Sequence, residues 1–389
     1  MRYRPCDDCS GGTVYIAREN YFTAFDTGRR TWSDRLHVCV FPFIGKKINM
    51  KGRITIQQAY GLDTLSGLVK FVIRILKGTF LVEGIGAVLF SLRFIPEFGF
   101  IKGVGYAIFH SVSAFCNAGI DILGSTSFIQ YSGSWLINFT TMFLIVMGGL
   151  GFPVWHDIAI NIKKMTEIKK RPLKWLFTRL CLQSKIVLTM TGLLILCGAV
   201  GFFLLEFNNP ETMGDMNLLE KMTASLFQSV TTRTAGFATV PQGDLRESSK
   251  LLGCMLMFIG GSPAGTAGGV KTTTIAMLLL TVLCVLKNKR DTECFARKID
   301  NNIVRSGITI TMITLIFLMS GITALTIFEP GIDFLDLTYE AASAMGTVGL
   351  TADLTPILSR GSHVILMILM YVGRIGPLYY GACIIGKKR

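Results

Sequence analysis

The sequence predicts an all-α polytopic membrane protein made of repeated helix–pore loop–helix units. Three observations predict it. Half of the 389 residues are apolar and only 16% are charged, with a mean hydropathy of +0.50, which is a membrane profile rather than a soluble one. Apolar runs recur at the length of about 20 residues that crosses a bilayer. One short pattern also occurs three times: Ser113-Ala-Phe-Cys-Asn-Ala-Gly119, Ser229-Val-Thr-Thr-Arg-Thr-Ala-Gly236 and Ser343-Ala-Met-Gly-Thr-Val-Gly349. Gly119 and Gly236 stand 117 residues apart, and Gly236 and Gly349 stand 113 apart.

In chain order, the spanning candidates are 78–95, 134–155, 184–206, 250–261 continuing to 272–286, 307–328 and 362–385. Three shorter stretches, 103–115, 219–230 and 334–346, lie between them and are too short to span. Each runs into one of the glycine-ended patterns. A short helix followed by a glycine-bearing extended turn is how a membrane protein aims backbone carbonyls at a cation. Non-helical backbone at membrane depth is tolerated only where protein or a water-filled cavity surrounds it. The three short stretches therefore read as re-entrant pore helices.

Charge orients the chain by the positive-inside rule. Lys46, Lys47, Lys51 and Arg53 precede the first span, and Lys163, Lys164, Lys169, Lys170, Arg171 and Lys174 follow the second. Lys287, Lys289, Arg290, Arg297 and Lys298 follow the fourth, and Lys387, Lys388 and Arg389 come last. These loops would be cytoplasmic. Glu206, Glu211, Asp215, Glu220, Glu329 and Asp333 fall on the opposite side, where an acidic vestibule would concentrate cations. The net charge of +14 is explained by these loops and does not call for a nucleic-acid partner.

Enzyme chemistry has little to stand on. His37, His110, His156 and His363 are dispersed and read as structural histidines. The ten Cys are scattered, with Cys197, Cys254 and Cys284 inside spans, so no disulfide framework is expected. Cys6 and Cys9 have metal-site spacing but lack a second pair. Gly265-Thr-Ala-Gly-Gly-Val-Lys271 resembles a phosphate-binding loop, yet Val270 stands where that motif needs glycine.

With these motifs in view, residues 44–385 resemble the Trk/Ktr/HKT superfamily of potassium transporters, nearest the bacterial KtrB-type membrane subunit. The resemblance rests on Ser113–Gly119, Thr231-Thr-Arg-Thr-Ala-Gly-Phe237, Gly260-Gly-Ser-Pro-Ala-Gly-Thr-Ala-Gly-Gly-Val-Lys-Thr272, Thr347-Val-Gly-Leu350 and Gly373-Arg-Ile-Gly-Pro377, in that order. It implies four joined helix–pore loop–helix repeats around one pore, each giving one filter strand. It also implies a homodimer in the bacterial plasma membrane, gated by a separate cytoplasmic nucleotide-binding regulatory subunit. The transported ion would be K+, with Na+ dependence left open, and no covalently bound cofactor is implied.

The filter would be lined by the K+-coordinating carbonyls of Cys116, Asn117, Ala118 and Gly119, of Arg233, Thr234, Ala235 and Gly236, and of Gly346, Thr347, Val348 and Gly349. Neutral carbonyl dipoles replace the ion's hydration shell, and glycine permits the backbone angles that turn them inward. The Arg233 side chain should point away from the axis, since a cation there would repel the permeant ion. Gly261, Ser262, Gly265, Thr266, Gly268, Gly269 and Lys271 interrupt an apolar run and, by the resemblance, form a gate below the filter. Arg374 sits within the last span, and an intramembrane Arg is a functional hypothesis by default. It would be an electrostatic barrier or an anchor for the loop carbonyls, or it would snorkel to the interface. Glu83 is also intramembrane, with no partner identifiable from sequence.

The expected organisation is an anomalous segment at 1–43, a second repeat at 44–157, a third with the gating loop at 158–290 and a fourth at 291–389. A first filter strand would fall near residue 4, where the sequence has no spanning segment. The 1–40 stretch carries Arg2, Arg4, Asp7, Asp8, Arg18, Glu19 and further charges instead. It reads as a truncated or misframed first repeat, and the C-terminal tail also reads as cut short. Three strands do not close a four-fold ring. Two rivals to K+ uptake follow: a sodium-selective or K+/Na+ symporting member, and a non-conducting degenerate or regulatory subunit.

Overall fold

The computed structural model describes residues 68–124, 126–167, 173–288, 292–295 and 297–375. Twelve helices carry the described residues: α1 (Leu68–Phe98), α2 (Phe100–Phe115), α3 (Trp135–Gly149), α4 (Phe152–Glu167), α5 (Leu173–Arg179), α6 (Leu182–Glu206), α7 (Leu218–Thr231), α8 (Glu247–Phe258), α9 (Thr272–Leu286), α10 (Asn301–Phe328), α11 (Phe334–Gly346) and α12 (Arg360–Ile375). The described strands are the two-residue β1 (Glu293–Cys294) and β2 (Arg297–Lys298), which pair antiparallel. Among the described residues, α1, α6 and α10 are long and apolar enough to cross a membrane.

Three re-entrant helices punctuate this order. The chain reverses at Gly99, which has φ 79°, and α2 folds back along α1. The return is close because position 103 has no side chain: a Cβ on Gly103 would lie 2.7 Å from the Ile95 Cα. The α7 helix turns back against α6, and α11 lies between α8, α10 and α12. Their starts are held by carboxylates. Glu220 accepts from the Asn217 N–H at 3.0 Å, and Asp333 accepts from the Leu335 N–H at 3.2 Å. These three short helices fall within a few residues of the stretches 103–115, 219–230 and 334–346 expected from sequence.

Packing is inverted relative to a soluble protein. Large apolar side chains such as Leu81, Val88, Leu196, Leu204, Ile316 and Ile327 face outward on the three long helices. The interior instead holds many Ser and Thr residues with Asn138, Gln228 and Gln242. One core gathers Phe90, Phe94, Phe115, Phe128 and Tyr131 with Phe227 and Phe237 of the middle unit. His110 lies among these rings, its Nδ1 paired with the Tyr106 carbonyl at 2.7 Å, as expected of a structural histidine. A second core joins α10, α11 and α12 through Leu325, Leu337, Ala341 and Leu369. A third bridges the middle and last units through Met257, Tyr339, Val348 and Leu350.

Two sequence expectations need correction. The run 134–155 is not one straight span. It breaks after Gly149, and α4 leaves α3 at 98°. Gly151 takes φ +84°, which stops the helical ladder, and Pro153 then sits in the first turn of α4, where a missing N–H costs nothing. Of the outer carboxylates expected to line an acidic vestibule, further, Glu206 is withdrawn from it, while Glu211, Asp215 and Asp333 are exposed. Glu206 is fully buried and accepts from Asn209 Nδ2 (2.6 Å), Thr212 Oγ1 (2.7 Å) and the Arg246 N–H (3.0 Å). Glu329 accepts from the Ser359 N–H and Ser362 Oγ, each at 2.7 Å. These groups tie the outer loops together. The Cys6–Cys9 pair, the 1–43 segment and the part of the last span beyond Ile375 lie outside the described residues.

Candidate functional site

Each pore helix ends in the same backbone figure. Asn117, Thr234 and Thr347 adopt left-handed conformations with φ of 50°, 74° and 52°. Two residues on, Gly119, Gly236 and Gly349 are left-handed again, with φ of 65°, 90° and 95°. Between them stand Ala118, Ala235 and Val348, which are not left-handed. Alternating handedness sets successive peptide groups on one side of a short strand. Left-handed Thr is costly for a β-branched residue, so the surrounding packing must enforce this shape.

Local bonds enforce it. Ala118 and Val348 donate their N–H groups back to the Ser113 and Ser343 carbonyls, each at 2.9 Å. Ser113 Oγ donates to the Ile120 carbonyl at 2.6 Å, closing the first turn over its glycine. In the middle unit Thr231 Oγ1 does this, donating to Phe237 O at 2.6 Å. Ser229, which the sequence pattern aligns with Ser113, instead reaches the Ile195 carbonyl of α6 at 2.8 Å. Alignment by residue type picks Ser229, where the fold uses Thr231 two positions later.

The three turns converge. A Cβ on Gly119 would run into the Ala235 carbonyl and lie 2.8 Å from the Gly236 Cα. A Cβ on Gly236 would run into the Val348 carbonyl and lie 3.2 Å from the Gly119 Cα. For Gly349 the nearest atom is the Gly236 Cα at 3.8 Å, with no further strand against it among the described residues. Gly119 and Gly236 thus make room for the carbonyl of the next turn, and Gly349 lies beside Gly236. Asn117 Oδ1 and Nδ2, Thr234 Oγ1 and Thr347 Oγ1 are buried atoms with no hydrogen-bond partner among the described residues. They occupy the matched left-handed position in all three turns. Cys116 is exposed at the end of α2, and Gly346 closes α11 with its missing Cβ against Met257 O at 2.5 Å.

Arg233 departs from this convergence, as the sequence leads one to expect. Its guanidinium is lodged between α3 and α6, with Nη2 3.5 Å from Thr191 Oγ1. Only 8% of the residue is exposed. Ile145, Val146, Gly149, Val230 and Gly261 line the small space beside it.

The segment between α8 and α9 passes directly beneath the turns. It enters and leaves as a pair of parallel extended residues, Ile259 and Val270, with Gly260 N–H donating to Val270 O at 2.9 Å. Thr272 N–H donates to Gly261 O at 3.0 Å, and the Ser262 and Thr272 hydroxyls stand 3.2 Å apart. A Cβ on Gly268 would collide with Thr347 Oγ1, so the loop touches the inner end of the turn. Gly269, at φ +66°, lies with its missing Cβ 3.1 Å from the Gly260 Cα. Lys271 Nζ donates to Ala267 O at 2.9 Å.

Thr266 is the crossing point of the loop. Its hydroxyl donates to Phe115 O at 3.2 Å, and its carbonyl accepts from Arg374 Nη1 at 2.7 Å. Arg374 therefore holds a loop carbonyl, one of the two pore-side roles open to it from sequence. The structure brings together all eight residues expected at the loop. Sequence reasoning missed the α3–α4 turn that meets them. Its signal was present in Gly148-Gly-Leu-Gly-Phe-Pro153, which interrupts an apolar run just as the loop does.

Re-entrant helices, left-handed glycine turns and a broken helix beneath them define a polytopic helical membrane protein of the ion-transporter class. A family profile described as TrkH, cation transport protein, matches residues 36–380. The chain is 36% identical over 343 residues to Ktr system potassium uptake protein B of Bacillus subtilis (strain 168), covering 88% of this chain and 74% of that protein. It is 37% identical over 346 residues to potassium/sodium uptake protein NtpJ of Enterococcus hirae, covering 87% and 72%. The crystal structure of the potassium transporter TrkH from Vibrio parahaemolyticus matches with a TM-score of 0.65 over 91% of this chain and 69% of that one. At 17% identity that match shows the fold alone. The chain belongs to the TrkH family of cation transport proteins, which are membrane ion transporters and not enzymes.

Proposed function

We propose that this protein takes up K+ across the bacterial plasma membrane through a channel-like path. The convergence of the three glycine turns, with Gly119 and Gly236 each leaving space for the next turn's carbonyl, carries this reading. Residues 116–119, 233–236 and 346–349 serve as three walls of the filter, with carbonyl oxygens as ligands and the Asn117, Thr234 and Thr347 side chains at the inner end. In this reading 44–157, 158–290 and 291–389 are successive repeats. Gly261–Lys271 forms the gate, held by Arg374. The membrane potential drives entry with about 2.3 kcal/mol per charge per 100 mV.

The name of the Bacillus relative as part of a Ktr system supports a protein with separate components. We assign this chain the membrane subunit, acting as a homodimer under a cytoplasmic nucleotide-binding regulator. The Enterococcus relative, named for potassium and sodium uptake, supports a second reading in which Na+ is also carried or required. The test is growth of a transport-deficient bacterium at low K+ with this chain expressed. Rescue supports K+ uptake, and Rb+ influx with and without Na+ separates the two readings. Failure to rescue, with the protein present in the membrane, would count against transport by the chain alone.

A further inference from the structure

We infer that the turn Gly148–Gly151 between α3 and α4 is the seat that positions the gate loop; this rests on the gate reading above. Where α3 ends, its last carbonyls have no helical partner, and where α4 begins, its first N–H groups have none. The loop takes both. Ser262 N–H donates to Gly149 O at 3.0 Å, and Thr266 N–H donates to Gly148 O at 3.2 Å. In the other direction Phe152 N–H donates to Ala264 O at 3.2 Å. One turn and one loop thus satisfy each other's backbone at three points over five loop residues.

The fit depends on missing side chains on both sides. A Cβ on Gly148 would collide with Phe115 O and lie 2.8 Å from Thr266 Oγ1. A Cβ on Gly151 would collide with Pro263 O, and the φ of +84° there already disfavours a side chain. On the loop, a Cβ on Gly265 would lie 3.1 Å from Gly148 O and 3.2 Å from both Gly149 O and Gly151 N. The turn is continuous with α4, whose Asp157 Oδ2 accepts from the Cys181 N–H at 2.9 Å at the start of α6. Of the three loop bonds, the one from the Phe152 N–H belongs to α4, and the two to Gly148 O and Gly149 O belong to the end of α3. The glycine turn is therefore a positioning element that acts through the loop, set by how α3 and α4 meet.

The decisive variant is Gly151→Ala in the full chain, reconstituted in liposomes. Rb+ influx without any regulator should rise several-fold, while the K+/Na+ influx ratio stays at the wild-type value. A merely structural role would lower influx and leave that signature absent. Gly151→Asn is the second variant, because Asn tolerates a left-handed backbone yet still pushes against Pro263 O. Relative to wild type, amide exchange of 259–268 and of 149–154 should rise together when the Asp157–Cys181 contact is weakened by Asp157→Asn. Unchanged influx in well-folded Gly151 variants, or independent exchange of the two segments, overturns the inference. If deleting Gly265–Gly269 raises influx and the Gly151 variants do not, the seat fails alone. If the deletion also leaves influx unaltered, the gate reading fails with it.

Discussion

The glycine turns and the loop beneath them are both irregular backbone at membrane depth, yet they are held in opposite ways. Each turn is tied mainly to its own pore helix: Ala118 to Ser113, Thr231 to Phe237, Val348 to Ser343. The loop is tied chiefly to other elements: Gly148 and Gly149 of α3, Phe115 of α2 and Arg374 of α12. Local ties fix a shape that a shift of neighbouring helices does not undo. Distant ties, with that from Phe152 of α4 as a fourth, make the loop's position depend on how four helices sit relative to one another. The first arrangement suits a site that must hold one geometry, the second a barrier that must move.

The largest expected effect comes from removing the movable member. Deleting Gly265–Gly269 should raise Rb+ influx by at least about tenfold, the equivalent of about 1.4 kcal/mol off the barrier. Unaltered influx would make the loop a bystander. Next, Gly236→Ser places a Cβ against the Val348 carbonyl. It should cut the K+/Na+ influx ratio by roughly tenfold while sparing total cation flux, since the carbonyl cage is distorted and not emptied. A retained ratio would break the comparison at its rigid end.

Arg374→Gln tests the loop's distant tie more gently. Losing the exposed bond to Thr266 O should raise influx by several-fold, because such a bond contributes about 1 kcal/mol net. Reduced influx with intact protein would reassign Arg374 to ion handling. Thr231→Val removes the local tie to Phe237 and should lower thermal stability by about 1 kcal/mol, with a smaller change in selectivity than Gly236→Ser. The smallest effect concerns an outer tie. Hydrogen bonds from the Ser359 N–H, Ser362 Oγ and Ser359 Oγ hold the Glu329 carboxyl below the usual range. A depressed folded pKa means the stabilisation is present above the unfolded value, about 4.3, and is lost as pH falls through the folded one. Melting should therefore fall with acidification in that window, and Glu329→Gln should flatten that part of the profile.

Much of the fold was legible because its signals are local. The pore helices at 103–115, 219–230 and 334–346 were bounded by length and by glycine. The broken helix between 258 and 272 was announced by its glycine content. The bend at Gly149–Gly151 was missed because apolar residues continue on both sides, and hydropathy carries no direction. Glu206 was misjudged because a carboxylate in an outer loop looks the same whether it faces water or is buried against a neighbouring loop. Thr231 was passed over for Ser229 because alignment by residue type does not show which hydroxyl reaches back over the turn.

By itself the sequence determined the membrane class, the three repeated turns and the loop below them. Apolar length, loop charge and the demand for glycine at left-handed positions are properties of short stretches of chain. Only the tertiary structure decided that Gly119 and Gly236 yield space to the next turn's carbonyl, that Arg233 is lodged between α3 and α6, and that the loop rests on the α3–α4 turn. Those facts depend on contacts between residues far apart in the chain, such as Gly119 with Ala235 and Phe115 with Thr266. No local pattern encodes which distant backbone group will arrive to fill a missing side chain.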